Sequence, residues 1–136
     1  MSRDLRFRAL VIAKNCYMEV VSIEFSTNKV ILKGNWNKAN NEPTMKAVPL
    51  DKVILEQYTG LKDKNGKEIY VGDVVQIPGE RASIVFDEKK ASYMGRFLVE
   101  YGNRKIESND YIFDFCPNDI EAIGNVHQNP ELLEGM

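Results

Sequence analysis

The sequence predicts a mainly β protein, at most a β-rich α+β one, built as a small barrel or sandwich of short strands. Apolar and polar residues alternate with a period of two in several segments, and turn residues interrupt these segments at short intervals. The length agrees with this fold class, because 136 residues with 43% hydrophobic and 28% charged side chains suit one folded domain with its own core. We therefore expect antiparallel strands and very little helix.

The first half of the chain predicts three strands and an exposed connection. Leu5, Phe7 and Ala9 alternate with arginines, which indicates a strand with one face in solvent. Residues 44–55 are the one internal segment with a helical alternative, although Pro49 argues against a long helix. The segments are 5–13 for the first strand, 17–25 and 30–32 for a hairpin with its turn at 26–28, and 34–43 for an asparagine-rich exposed loop.

The second half contains the strongest hairpin signal in the chain. Asn65 and Gly66 tolerate the positive φ angles that a tight turn between two strands requires. Asn129 is predicted to cap a final helical turn that begins at Pro130. The strands expected in this half are 53–58, 68–71, 74–77, 82–86, 93–101 and 120–126.

Charge is distributed unevenly along the chain. Residues 1–68 hold 12 Lys and Arg against 8 Asp and Glu, whereas residues 69–136 hold 6 against 12. We interpret this asymmetry as solvated faces and packing between the halves, since neither half has the excess of a strongly basic nucleic-acid binder. The sequence contains no apolar run of signal-peptide or membrane-span length, which predicts a cytosolic protein with Cys16 and Cys116 reduced and no membrane partner.

Residue types that carry chemistry are sparse. His127 is the single histidine, and its place beside the predicted last turn favours a surface position over a catalytic one. Neither cysteine has flanking basic residues that favour a reactive thiolate, so both are expected to be small buried side chains. No catalytic, metal or cofactor residue is predicted. The remaining alternative is a hydrolase with a carboxylate metal site, and the acidic residues considered for it are Asp110, Asp114, Asp119 and Glu121.

Nucleic-acid binding is a second alternative, because small β-barrels combine exposed aromatic rings with basic side chains on one face. Two places have this combination, one around Phe7 and one in the asparagine-rich segment. An exposed tryptophan is equally suited to a protein interface. The acidic second half disfavours phosphate nearby, so a protein partner is preferred. The candidate binding residues are Arg6, Arg8, Lys33, Trp36 and Lys38.

Three segments of the sequence form a recognisable pattern. The most specific is the continuous run QYTGLKDKNGKEIY at residues 57–70, followed by Gly72 and Asp73. The other two are residues 6–9 near the start of the chain and residues 123–126 with 129–133 near its end. In sequence and in order, these segments resemble the signature, the opening motif and the closing motif of the YopX protein family, which is found in bacteriophages and prophages.

The resemblance implies a fold and an origin but no reaction. It implies an SH3-like barrel in the C-terminal half with the N-terminal strands packed on it, within a single domain of residues 1–136 that divides into 1–56 and 57–136. It also implies a phage or prophage protein in the cytoplasm of a bacterial host. The family brings no catalytic residue or cofactor, so we expect a non-enzymatic module that binds a protein partner or associates with itself.

The residues that carry the resemblance are interpreted as structural. An Asn-Gly turn sets the strand register, glycines allow bends or bulges, and an aspartate can accept hydrogen bonds from backbone amides. A binding role for the lysines near the turn is the alternative. The signature residues are Tyr58, Thr59, Gly60, Leu61, Asp63, Asn65, Gly66, Gly72, Asp73, Gly124, Asn125, Asn129 and Pro130.

Overall fold

The computed structural model describes residues 5–101, 104–111 and 117–133, and in these the chain is mainly β, as predicted. Every strand pairing is antiparallel. Short 3-10 turns occur at Ile12–Lys14, Leu50–Lys52, Pro117–Asp119 and Pro130–Leu133. The strands are β1 (Phe7–Val11), β2 (Cys16–Glu24), β3 (Lys29–Asn37), β4 (Glu42–Pro49), β5 (Val53–Lys62), β6 (Glu68–Tyr70), β7 (Asp73–Ile77), β8 (Glu80–Asp87), β9 (Ser92–Tyr101), β10 (Arg104–Asp110) and β11 (Glu121–Asn125).

The chain divides into two compact units, of which the first ends at Gln57 and the second begins at Tyr58. In the N-terminal unit the strands lie in the order β4-β3-β2-β1-β5. Ala9 in β1 lies opposite Met18 in β2 and Leu55 in β5, so these three side chains share one face of the sheet. This face carries the core of the unit, which is formed by Ala9, Val30, Leu32, Val48 and Val53.

Two expectations for the N-terminal unit are corrected by the structure. The exposed connection predicted for residues 34–43 is confirmed only for the turn at 38–41, because β3 continues to Asn37 and β4 begins at Glu42. Residues 44–55 are not an α-helix, because they contain most of β4, a 3-10 turn and the start of β5. Strand pairing overrides the local turn preference of Asn35 and Asn37. Pro49 fits a strand here because β4 is the outer strand of the unit, where a missing N–H is tolerated.

The C-terminal unit contains the end of β5 paired with β6, and a five-stranded sheet in the order β10-β9-β8-β7-β11. Its core is formed by Ile69, Val75, Ile77, Ala82, Ile84 and Ile120, all of which are buried. The predicted hairpin turn is confirmed between β5 and β6, where Gly66 has φ +81°. The predicted final helical turn is a 3-10 turn that begins at Pro130.

In the part of the chain that the structure describes, no helix is long and apolar enough to cross a membrane.

Candidate functional site

The loop between β5 and β6 is organised by the carboxylate of Asp63, which is only 5% exposed. Oδ1 of Asp63 accepts hydrogen bonds from the backbone amides of Asn65 and Lys67, each at 2.9 Å. Oδ2 accepts a hydrogen bond from the amide of Ala122 in β11 at 3.0 Å. One side chain therefore closes the turn and also holds a strand that lies 59 residues further along the chain.

The next residue of the loop, Lys64, also connects it to the start of β11. The amide of Lys64 donates to the carbonyl of Ile120 at 2.9 Å, and the Nζ of Lys64 lies 3.2 Å from Oε2 of Glu121.

The environment of Asp63 lowers the pKa of its carboxyl group from the ordinary value. Burial alone raises this pKa, but the three amide donors and the charge of Lys67 outweigh the effect of burial. The fold therefore stabilises the ionised carboxylate.

Two further polar side chains of the signature, those of Thr59 and Asp73, are also bonded to the backbone. Oγ1 of Thr59 donates to the carbonyl of Ile69 at 2.7 Å and accepts from the amide of Leu61 at 3.2 Å. Oδ2 of Asp73 accepts from the amide of Tyr70 at 2.8 Å. The signature positions Gly60 and Gly72 have φ angles of +89° and +94°, which residues with a Cβ rarely adopt.

The closing motif forms a tight turn after β11. Oδ1 of Asn125 accepts from the amides of His127 and Gln128, at 3.2 and 2.8 Å. Oδ1 of Asn129 accepts from the amide of Asn125 at 3.2 Å, so its side chain reaches back to β11. A Cβ on Gly124 would lie 2.6 Å from Oδ1 of Asn129, so any larger residue would have to displace that side chain. The side-chain polar atoms at Asp63, Asp73, Asn125 and Asn129 thus make hydrogen bonds within the fold.

The candidate binding residue Arg8 lies in a largely buried charged cluster on β1. Its Nε donates to Oε1 of Glu56 at 3.0 Å, and its guanidinium lies 4.3 Å from the ring centroid of Tyr17. The hydroxyl of Tyr17 donates to the same carboxylate oxygen at 2.7 Å. Glu56 is 4% exposed. Sequence reasoning missed Glu56 and Tyr17, because their proximity to Arg8 depends on the strand register.

Positive and negative side chains alternate from strand to strand in the row of the sheet that contains Arg8. Glu56, Arg8 and Glu19 face one another on β5, β1 and β2. Lys33 on β3 is next in the row, with its Nζ 3.9 Å from Oε2 of Glu19. The structure therefore places Arg8 and Lys33 in one row, but beside carboxylates. Arg6 and Lys38 are both exposed and lie apart, before β1 and in the β3–β4 turn respectively.

An exposed apolar surface lies on the β3–β4 hairpin. Trp36 is directly opposite Pro43, and Met45, two residues further along β4, lies on the same side of that strand as Pro43, whereas β3 has an irregularity between Lys33 and Trp36. Trp36 is 58% exposed and Met45 54% exposed. We call Trp36, Pro43 and Met45 the Trp36 face. Trp36 stands out in the sequence, whereas the position of Met45 beside it follows only from the pairing of two strands.

The remaining candidates do not form a common site among the described residues. Asp110 ends β10, Asp119 lies in a 3-10 turn and Glu121 begins β11. Over residues 5–101, 104–111 and 117–133, no three His, Cys, Asp or Glu side chains are grouped to hold a metal ion. His127 and Cys16 are both half-buried. Asp114 and Cys116 lie outside the described residues.

Comparison with known proteins identifies both a family and a fold. The sequence model described as "YopX protein" matches residues 6–134 of this chain. A crystal structure of protein EF1440 from Enterococcus faecalis is similar, with a TM-score of 0.54 and 22% identity, over 98% of this chain and 100% of that chain. At this identity the likeness shows a shared fold. No curated protein matches the chain.

Proposed function

The chain belongs to the YopX protein family, and from this premise we propose that it is a non-enzymatic module that binds a protein partner through the Trp36 face. The observation that carries the proposal is the exposure of Trp36 and Met45 on the face that Pro43 shares. Tryptophan and methionine are enriched in protein interfaces, and tryptophan is frequent among the residues that dominate binding energy. The signature side chains of Asp63, Asp73, Asn125 and Asn129 make hydrogen bonds within the fold, which supports a structural role for them.

Charge favours a protein over a nucleic acid as the partner. Arg8 is paired with Glu56, and Lys33 lies beside Glu19, so positive and negative side chains alternate across the sheet. A phosphate backbone approaching this row would meet carboxylates as well as cations, which weakens the counterion-release contribution to binding. The exposed Arg6 and Lys38 are not in the row. A nucleic-acid partner is the competing proposal that the experiment below must exclude.

Three further features belong to the proposal. We infer that the protein acts without a cofactor, comes from a phage or prophage and works in the cytoplasm of a bacterial host, which rests on its family. We also infer an SH3-like arrangement for the C-terminal unit. The strand order supports this inference. Strands β7 to β10 form an antiparallel meander, a 3-10 turn follows at Pro117–Asp119, and β11 then returns to pair with β7.

The test uses Trp36 as its own reporter, since the chain contains 1 tryptophan. Tagged protein is incubated with host lysate with and without nuclease, and retained proteins are identified and purified. Binding of a purified partner should shift the Trp36 emission to shorter wavelength, because an exposed indole becomes buried. A second copy of the chain counts as such a partner, and sedimentation of the isolated protein at several concentrations detects it.

Matched variants distinguish specific binding through the Trp36 face from non-specific hydrophobic binding. Trp36→Ala and Met45→Ala should keep the melting temperature of the wild type and lose the partner, with Trp36→Ala weakening binding about 30-fold or more. Phe86→Ala, which removes an exposed ring from β8 in the other unit, should retain it. Retention that nuclease abolishes, or equal loss in the Phe86 variant, would contradict the proposal.

A further inference from the structure

An open, largely apolar cavity of about 520 Å³ lies in the N-terminal unit, where the end of β1 and the following turn face β4. Its apolar lining includes Val11, Met18 and Val48, which also pack in the core of this unit. Small-molecule sites commonly have volumes of roughly 300–1,000 Å³ and apolar walls with a few polar groups. The size and lining therefore fit a small ligand.

The polar groups around the cavity are mostly cationic. Lys14, Lys46 and Lys52 contribute to its lining, against a single acidic residue, Asp51. Within the described ranges, none of these three ammonium groups forms an ion pair with a carboxylate. This differs from Arg8 and Lys33 on the same sheet, each of which lies beside a glutamate. The cavity thus combines an apolar surface with an excess of positive charge in its lining.

We propose that this cavity binds a small amphipathic anion, a molecule with an apolar body and one carboxylate, sulfonate or phosphate group. The apolar body replaces water against Val11 and Met18, and the anionic group is attracted by the lysines, whose hydrogen bonds to a charged acceptor are stronger than neutral ones. A cation of the same shape would be repelled by the excess positive charge.

This site is separate from the Trp36 face. Lys46 and Val48 lie opposite Leu32 and Val30, two residues of the core, so they share the core side of the sheet. Ala47 and Pro49 also contribute to the lining, but none of Trp36, Pro43 and Met45 does. Binding in the cavity is consequently independent of the proposed protein interface, and each can fail without the other.

The experiment measures binding of the fluorescent sulfonate 1-anilinonaphthalene-8-sulfonate to the full chain. Displacement is then compared for dodecanoate, dodecanol and dodecyltrimethylammonium, all below their micellar concentrations. Dodecanoate should displace the probe most effectively, and added salt should weaken its binding through screening. Equal displacement by the cationic and anionic chains would overturn the proposal, because charge would then play no role.

Variants locate the site. Lys46→Gln and Lys52→Gln should each weaken dodecanoate binding about tenfold, as expected for loss of one charge-assisted contact. Lys89→Gln makes the same change in net charge at an exposed position of the C-terminal unit and should have no effect. Ala13→Phe, which places a ring at an exposed lining position, should abolish probe binding without lowering the melting temperature. Trp36→Ala should bind the probe normally. Equal weakening in the Lys89 variant, or loss of probe binding in the Trp36 variant, would overturn the assignment.

Discussion

Removal of the Asp63 carboxylate is expected to destabilise the protein by about 3 kcal/mol. Three backbone amides donate to this group, those of Asn65, Lys67 and Ala122. A hydrogen bond to a charged acceptor contributes about 1.5–3 kcal/mol, so the bond to the half-buried Ala122 is assigned about 2 kcal/mol. The two turn amides can bind water instead and are assigned about 0.5 kcal/mol each.

The assay is urea unfolding of the wild type, Asp63→Ala and Asp63→Asn, followed by circular dichroism and by backbone amide exchange. Asp63→Asn is the isosteric control. Its amide oxygen can replace only one of the two accepting oxygens, and its NH2 group faces an N–H donor on the other side, so it should be destabilised to a similar extent. Exchange should accelerate most at Ala122, which loses its acceptor. A destabilisation of Asp63→Ala below about 1 kcal/mol, with Ala122 still protected, would refute the reasoning.

Three further predictions concern single groups whose surroundings are defined. The pKa of Asp63 is lower in the folded chain than in the unfolded chain, so its ionised carboxylate should contribute fully to the free energy of unfolding above about pH 4. This contribution should be lost as the pH falls further. In acid titration, Asp63→Asn should therefore lose less stability than the wild type. Gly124→Ala should lower the stability by about 1–3 kcal/mol in thermal unfolding, because its Cβ would lie 2.6 Å from Oδ1 of Asn129, and an unchanged melting temperature would contradict this contact. Glu56→Ala should cost about 3 kcal/mol by chemical unfolding, since it leaves a partly buried guanidinium without its carboxylate, whereas Glu19→Ala at an exposed pair should cost less than about 1 kcal/mol.

Local sequence was most informative where a turn has strict backbone requirements. Asn65 and Gly66 identified the β5–β6 turn, and Pro130 identified the start of the last 3-10 turn, because positive φ and a fixed φ restrict which residues fit. Asn40 and Asn41 lie in the turn as expected, but local sequence failed at Asn35 and Asn37, which are held in β3. Hydrogen bonds to a neighbouring strand decided these residues, and local preference does not report such bonds.

For the candidate sites, too, the sequence indicated single residues, whereas the grouping of residues required the structure. Trp36 could be named from the sequence because a lone tryptophan in a polar segment is unusual, but its exposure and its shared face with Met45 required the strand register. The cavity was not foreseen, since its lysines come from a 3-10 turn, from β4 and from the turn before β5. No spacing within any one segment indicates that they surround the same space.

The sequence by itself determined the mainly β class, the family and the positions of the tightest turns, because alternation, signature residues and backbone restrictions act over a few neighbouring positions. Tertiary structure alone decided that Asp63 bonds to Ala122, that Arg8 is matched by Glu56 and that Lys14, Lys46 and Lys52 line one cavity. These contacts join residues far apart in the chain, and a shift of one residue in strand register would move the side chains to the opposite face.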